Sequence, residues 1–414
     1  MLKRARSFLA KLGPGLITGA SDDDPSGILT YLQAGTVLGF RALWTALATL
    51  PLMYGIQEMC ARLGLVTGKG LTRLLRERYS PWLLYPVALV SVSVITVNIG
   101  ADLAAIGTVL ERLLGGSRLV WLAGAAALIV LSLIYTSYHR FARVMKWLTL
   151  SLGFYVATVF VTHLDWAQAA FVTFVPSLPS SRTEVLLVAA ILGTTISPYL
   201  FFWQANEEVE EREEETRTLQ SFTVTKHELK FLKEDVFLGM LASNAVQWFI
   251  IAGASQLAMS RGVGELVSFE QAAQVLQPLL GQWAYLAFSF GIIGTGLLAI
   301  PVLAGSVGYI LAEVFALEEG LNKTYREAKG FYLTIALATL VGATLSFLKV
   351  DPIQLLIYTA VLYTLITPPL ILIILRLSND KQLMGGSVNR WPSNVLGILA
   401  LIAMTAAAVA YLWL

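Results

Sequence analysis

The chain has 414 residues, 56% of them hydrophobic and 14% charged, with a net charge of +2 and a mean hydropathy of +0.69. That balance is the profile of a membrane protein rather than a soluble domain, and it leaves no basic field for nucleic acid. The single cysteine, Cys60, excludes both a disulfide framework and a multi-thiolate metal site.

At the N-terminus, Met1-Leu2-Lys3-Arg4-Ala5-Arg6 leads into Phe8-Leu9-Ala10, but Lys11, Gly13 and Pro14 interrupt any signal-peptide core. No lipidation motif is evident. Apolar segments long enough for ~30 Å of hydrocarbon then recur. Eleven are expected, at 13–39, 42–60, 82–110, 119–137, 147–163, 184–206, 235–258, 283–312, 331–348, 352–375 and 393–413.

The first segment contains Ser21-Asp22-Asp23-Asp24-Pro25-Ser26-Gly27. An ionised carboxylate in hydrocarbon costs roughly 2.5–3.5 kcal/mol on insertion scales, so three in a row are not filler. Pro25 removes a backbone donor and Gly27 loosens the helix. Non-helical backbone at membrane depth survives only inside protein or beside water. The segment therefore reads as a broken helix presenting acid oxygens to a cation. The alternative is an interfacial cap on a helix starting at Pro25. A second break is expected five spans later, at Gly193-Thr194-Thr195-Ile196-Ser197-Pro198-Tyr199-Leu200. Paired interrupted helices in corresponding positions of two halves point to an inverted-repeat transporter, with free carbonyls at each break.

The predicted architecture is an all-α membrane protein with a 5+5 inverted repeat and broken helices 1 and 6. It forms a single transport domain over 1–414: a first repeat over 1–163, a second over 184–376, and an eleventh helix over 393–413. Basic residues set the orientation. Of 29 Lys and Arg, 23 fall in the N-terminal tail and the even-numbered connections, and six (Arg41, Arg112, Arg118, Arg182, Arg261, Lys349) fall opposite. The N-terminus is thus expected in the cytoplasm and the C-terminus outside, in the cell membrane.

The loop over 207–234 is acidic and then mixed. Its glutamates, Glu207 to Glu215, read as a solvated helix extension, or else as a divalent-cation sensor or exit funnel. Glu58 is expected to pair with Arg62 or another basic residue. Trp121, Trp147, Trp283, Trp391 and Trp413 read as interfacial anchors.

Several stretches resemble the NRAMP divalent-metal transporters: Gly13-Pro14-Gly15, Asp24-Pro25-Ser26-Gly27, Leu32-Gln33-Ala34-Gly35, Ala61-Arg62-Leu63-Gly64-Leu65-Val66-Thr67-Gly68-Lys69, and Ala101-Asp102-Leu103-Ala104 with Ile106-Gly107. Span 6 lines up through Pro198. The resemblance implies a LeuT-type fold holding metal between the unwound parts of helices 1 and 6. Family members carry Asp-Pro-Gly-Asn in helix 1 and Met-Pro-His in helix 6. Here Gly27 stands at the Asn position, and Ser197-Pro198-Tyr199 replaces Met-Pro-His. Losing the soft thioether leaves an all-oxygen set of Asp24, Ser197 and backbone carbonyls near Ser21 and Thr194, suited to hard ions. Together these departures resemble the NRAMP-related magnesium transporters, which accept Mg²⁺ and usually Mn²⁺.

Proton coupling is expected to be absent. Tyr199 replaces the family's His, Ala105 stands one turn after Asp102 where an acid is expected, and span 9 has no Arg. The membrane potential alone supplies ~4.6 kcal/mol per 100 mV for a divalent ion. Asp22 and Asp23 read either as second ligands or an acidic vestibule, or as a helix cap. Asp102 is expected to keep a structural hydrogen bond, and Asn98 and Asn244 to bond between helices or line the path. Thr194 and Thr195 offer hydroxyls, though such groups usually bond their own backbone. The expected partners are a divalent cation and the bilayer, for a monomeric protein with no organic cofactor. The competing readings are a proton-coupled Mn²⁺/Fe²⁺ transporter, an organic-substrate symporter of the same fold, and a non-transporting sensor. Three Asp at the first break would repel a substrate carboxylate. No nucleophile–base pairing suggests an enzyme.

Overall fold

The computed structural model describes residues 13–135, 152–162, 164–218, 224–345 and 350–413, and among these every regular element is helical. The longer helices are α1 (Pro14–Asp22), α2 (Pro25–Leu38), α3 (Trp44–Thr67), α4 (Leu71–Arg78), α5 (Pro81–Leu114), α6 (Arg118–Tyr135), α7 (Gly153–Val161), α8 (Trp166–Phe174), α9 (Arg182–Thr195), α10 (Pro198–Thr218), α11 (Lys226–Arg261), α12 (Ala284–Phe315), α13 (Lys329–Thr344), α14 (Pro352–Ser378) and α15 (Trp391–Trp413).

Each expected apolar segment falls on helix wherever it is described, yet fewer than eleven qualify as membrane spans. Seven helices are long and apolar enough, or eight if the pair bent by 106° over Pro25–Ala42 and Trp44–Thr67 counts as one. The shortfall has physical causes. The first span is cut into halves of 9 and 14 residues, and α13 has only 16. α3 carries Gln57, Glu58 and Arg62 in its second half. Residues 147–151 of the fifth span lie outside the described residues.

Both breaks are built alike. α1 ends at Asp23 (φ −83°, ψ 54°) and α9 ends at Ile196 (φ −105°, ψ 61°), each outside the helical region. Each following half-helix starts on a proline, Pro25 or Pro198, at the position where the missing N–H costs nothing.

Glycines seat the first half-helices directly on backbone. A Cβ on Gly19 would stand 2.2 Å from the Gly239 carbonyl oxygen, and one on Gly239 would stand 2.0 Å from that of Gly15. α1 therefore lies against α11 at backbone contact. The second half repeats the device on α14, where a Cβ on Gly193 would stand 1.9 Å from the Ala360 carbonyl oxygen. Small residues allow such close approach between membrane helices, where packing replaces the hydrophobic effect.

The acidic run departs from the solvated extension expected of it. α10 continues through it, but Glu207, Glu208 and Glu210 are buried. Glu208 accepts from Gln204 at 2.8 Å, and Glu210 accepts from the Leu321 and Asn322 amides at 2.7 and 3.0 Å and from the Tyr309 hydroxyl. Glu210 thus ties α10 to α12 and the loop after it, while Glu208 is held within α10, and neither faces water. In the following loop, burial and nearby Glu313 push the Glu319 carboxyl up to about 9, so it is protonated at neutral pH. The Glu58–Arg62 pair forms as expected, at 2.9 Å, with Lys233 3.6 Å from Glu58. Trp283, Trp391 and Trp413 are exposed, as anchors should be, whereas Trp147 lies outside the described residues.

Candidate metal site at the two helix breaks

Asp24 occupies the first break in extended backbone (φ −71°, ψ 171°). Its Oδ1 accepts the Gly27 amide at 2.6 Å and caps α2, and its Oδ2 accepts from Asn98 Nδ2 of α5 at 2.9 Å. The cap that the alternative reading expected is present, but it is a buried one, 2% exposed, and not interfacial. Asn98 touches the acid itself, and its own Oδ1 has no partner.

Asp22, Asp23 and Asp102 are equally buried, and among the described residues none of the four acids has a Lys, Arg or His ion-pair partner. Neither Asp102 oxygen has a hydrogen-bond partner of ordinary geometry, and the Ser26 amide beside it is all that stands for the structural bond expected there. Unpaired carboxylates at membrane depth must be neutralised, by a cation or by a proton.

Oxygens from both breaks meet at Gly27. A Cβ placed there would stand 3.2 Å from the Asp22 carbonyl oxygen, 3.3 Å from Thr194 Oγ1 and 3.4 Å from Asp24 Oδ1. The missing side chain is what lets these oxygens converge.

Two other expected ligands are engaged elsewhere. The Ser21 carbonyl accepts the Tyr199 hydroxyl at 2.8 Å, which ties the two broken helices together. Ser197 Oγ donates to the carbonyls of Thr194 at 2.5 Å and Gly193 at 3.1 Å, so the Thr194 carbonyl is not bare. The Ser197 oxygen keeps lone pairs for an ion. Thr195 Oγ1 lies 3.1 Å from the Tyr31 hydroxyl and 3.5 Å from Gln247 Oε1, while Asn244 bonds Thr49 of α3 at 2.7 Å in an interhelical contact.

The three consecutive acids do not converge. Asp22 Oδ2 accepts from Ser243 Oγ of α11 at 2.8 Å, and Asp23 Oδ1 lies 3.5 Å from the same hydroxyl. Among the described residues no three His, Cys, Asp or Glu side chains are placed to hold one ion together. Any ion at Asp24 is completed by carbonyl, hydroxyl or water oxygen.

Ser243, Tyr31 and Tyr363 were not anticipated as site residues. Ser243 is a polar residue in an apolar span beside Asn244, which is too common a pattern to single it out. Tyr363 of α14 packs its ring 5.9 Å from that of Tyr199. Ser26 Oγ anchors the start of α2 to the Leu356 carbonyl at 2.7 Å.

Two discontinuous helices, tied to each other around buried acids in a scaffold of apolar helices, are the arrangement of an inverted-repeat membrane transporter. The family described as natural resistance-associated macrophage protein-like (Nramp) matches residues 15–414, and the chain belongs to it. It is 25% identical over 394 residues to the divalent metal cation transporter MntH of Granulibacter bethesdensis, covering 91% of this chain and 82% of that one. It is 27% identical over 415 residues to the MntH of Verminephrobacter eiseniae, covering 97% and 88%.

Among solved structures, an Eremococcus coleocola manganese transporter in complex with an aromatic bis-isothiourea compound superposes with a TM-score of 0.75 at 16% identity, covering 98% of this chain and 87% of that one. MHP1, a nucleobase-cation-symport-1 family transporter, superposes with a TM-score of 0.58 at 13% identity, covering 97% and 92%. The fold is the LeuT type that the family resemblance implied.

Proposed function

We propose that this chain carries a divalent metal cation across the membrane by alternating access, with the ion seated at Asp24 between the two helix breaks. The observation that carries the reading is Asp24 itself: 2% exposed, without a basic partner among the described residues, and facing oxygens from both breaks at Gly27. Thr194 and Ser197 supply further oxygens. The Ser21 carbonyl joins them once the Tyr199 hydroxyl gives it up. Asn98 orients the carboxylate, and Asp102 adds negative charge beside it.

The MntH relatives are divalent metal cation transporters and the Eremococcus coleocola protein is a manganese transporter, which supports manganese ahead of magnesium and lends nothing to the Mg²⁺ preference or the absence of proton coupling expected from the residues alone. Mn²⁺ is therefore the first candidate. Mg²⁺ is the second, favoured by one specific observation: the donors around Gly27 are all oxygen, with Ser197 where family members have a thioether. The excess of basic residues on one side supports a cytoplasmic N-terminus.

The test is flux into proteoliposomes, with metal-sensitive dye in one set and pH dye in a matched set. Mn²⁺ entry with acidification assigns the chain to proton-coupled manganese uptake. Mg²⁺ entry without proton movement assigns it to the second candidate, and entry of neither ion refutes the function.

A further expectation concerns selectivity. Ser197→Met introduces a soft ligand and removes the hydroxyl that occupies the Thr194 carbonyl. Cd²⁺ and Mn²⁺ uptake should rise relative to Mg²⁺; unchanged ratios in competition assays would place the ion away from the second break.

A further inference from the structure

The three adjacent aspartates divide between two walls of the transporter. Asp24 gives its oxygens to the Gly27 amide and to Asn98 of α5. Asp22 and Asp23 turn instead to Ser243 of α11, at 2.8 and 3.5 Å. The Asp24 ion, the subject of the preceding proposal, cannot be shared among all three carboxylates, because the three are not placed to hold one ion.

The Asp22–Asp23 pair is thus left with its own charge to settle. Both residues are buried, at 0% and 1% exposure. The Ser243 hydroxyl has a single hydrogen and satisfies one carboxylate at a time. With the hydrogen given to Asp22 Oδ2, Asp23 Oδ1 faces the hydroxyl's lone pairs. The other oxygen of Asp22, Oδ1, is fully buried with no hydrogen-bond partner at all. An unsatisfied buried charge of this kind is among the most costly features a protein interior can carry. Two carboxylates and a hydroxyl form a hard, all-oxygen donor set that carries two negative charges when both acids are ionised, which matches one divalent cation.

We propose that Asp22, Asp23 and Ser243 form a second divalent-cation site, separate from the transport site at Asp24. The proposal rests on the reading of Asp24 as the transport site, and the experiment keeps the two apart.

Mn²⁺ binding to the full chain in nanodiscs, measured by equilibrium dialysis, should give two ions per chain. Asp24→Asn should keep one. A double Asp22→Asn, Asp23→Asn variant should also keep one, and Ser243→Ala should weaken that second ion about tenfold or more, as loss of a supporting contact does at metal sites. Asn is isosteric with Asp, and a thermal melt of each variant confirms that it is folded.

One ion in the wild type, lost in Asp24→Asn and kept in the double variant, would overturn the second site while leaving the transport site standing. One ion lost in the double variant and kept in Asp24→Asn would overturn the assignment of Asp24. Loss of both ions in Asp24→Asn would show a single coupled site and overturn the separation.

Discussion

An Asp24→Asn carrier is expected to fold, insert and move no divalent ion. The substitution keeps the shape and the acceptor that caps α2 through the Gly27 amide. It also keeps Asn98 satisfied, because that amide has an unpartnered Oδ1 to turn toward the new donor. What disappears is the negative charge, the one property of Asp24 that neither the cap nor the Asn98 contact requires. Uptake of Mn²⁺ and Mg²⁺ into proteoliposomes should fall to that of protein-free vesicles, with the melting temperature little changed. Asp24→Ala should be equally inactive but less stable by about 1 kcal/mol, the usual cost of losing an N-cap. Surviving uptake in the Asn variant would move the ion to Asp102 or to the Asp22–Asp23 pair.

The second large effect is on assembly. Gly239→Ala should destabilise the protein by about 3 kcal/mol or more, beyond the range in which overpacked side chains usually adjust. The added carbon would stand 2.0 Å from the Gly15 carbonyl oxygen, and backbone on both sides leaves nothing flexible to yield. α1 would be pushed off α11, and the first break with it, so transport should be lost as well. Gly264→Ala is the control, since a Cβ there meets nothing within 4 Å. Melting by fluorescence-detected size exclusion reads both; equal midpoints for Gly239→Ala and wild type would mean that the two helices are not in backbone contact.

The breaks were legible because they violate the rules of their surroundings. Acids followed by proline inside an apolar stretch have few physical solutions, and the second proline five spans on completed the pattern. Asn98 was expected to bond between helices or line the path, and its contact with Asp24 itself, 74 residues away, is one only the fold supplies. Ser243 was not legible, because its function depends on a contact between residues 22 and 243 that no local pattern encodes. The acidic run misled for the reverse reason: clustered glutamates ordinarily mean solvent, and only the tertiary structure supplies the amides of Leu321 and Asn322 that bury Glu210. Apolar length likewise locates helices better than it counts crossings. A span split near its middle leaves halves of 9 and 14 residues, each too short to cross alone.

The bond from Tyr199 to the Ser21 carbonyl bears on the half of the cycle in which nothing is carried. A carrier of this class must return unloaded, and a bare buried acceptor would cost about 1–3 kcal/mol on every such passage. The Tyr199 hydroxyl satisfies that carbonyl. A histidine at the same place would do so only in the right tautomer and charge state. A phenol, ordinarily ionising near pH 10, stays a donor across the pH range a cell experiences, so this one bond does not depend on a protonation state.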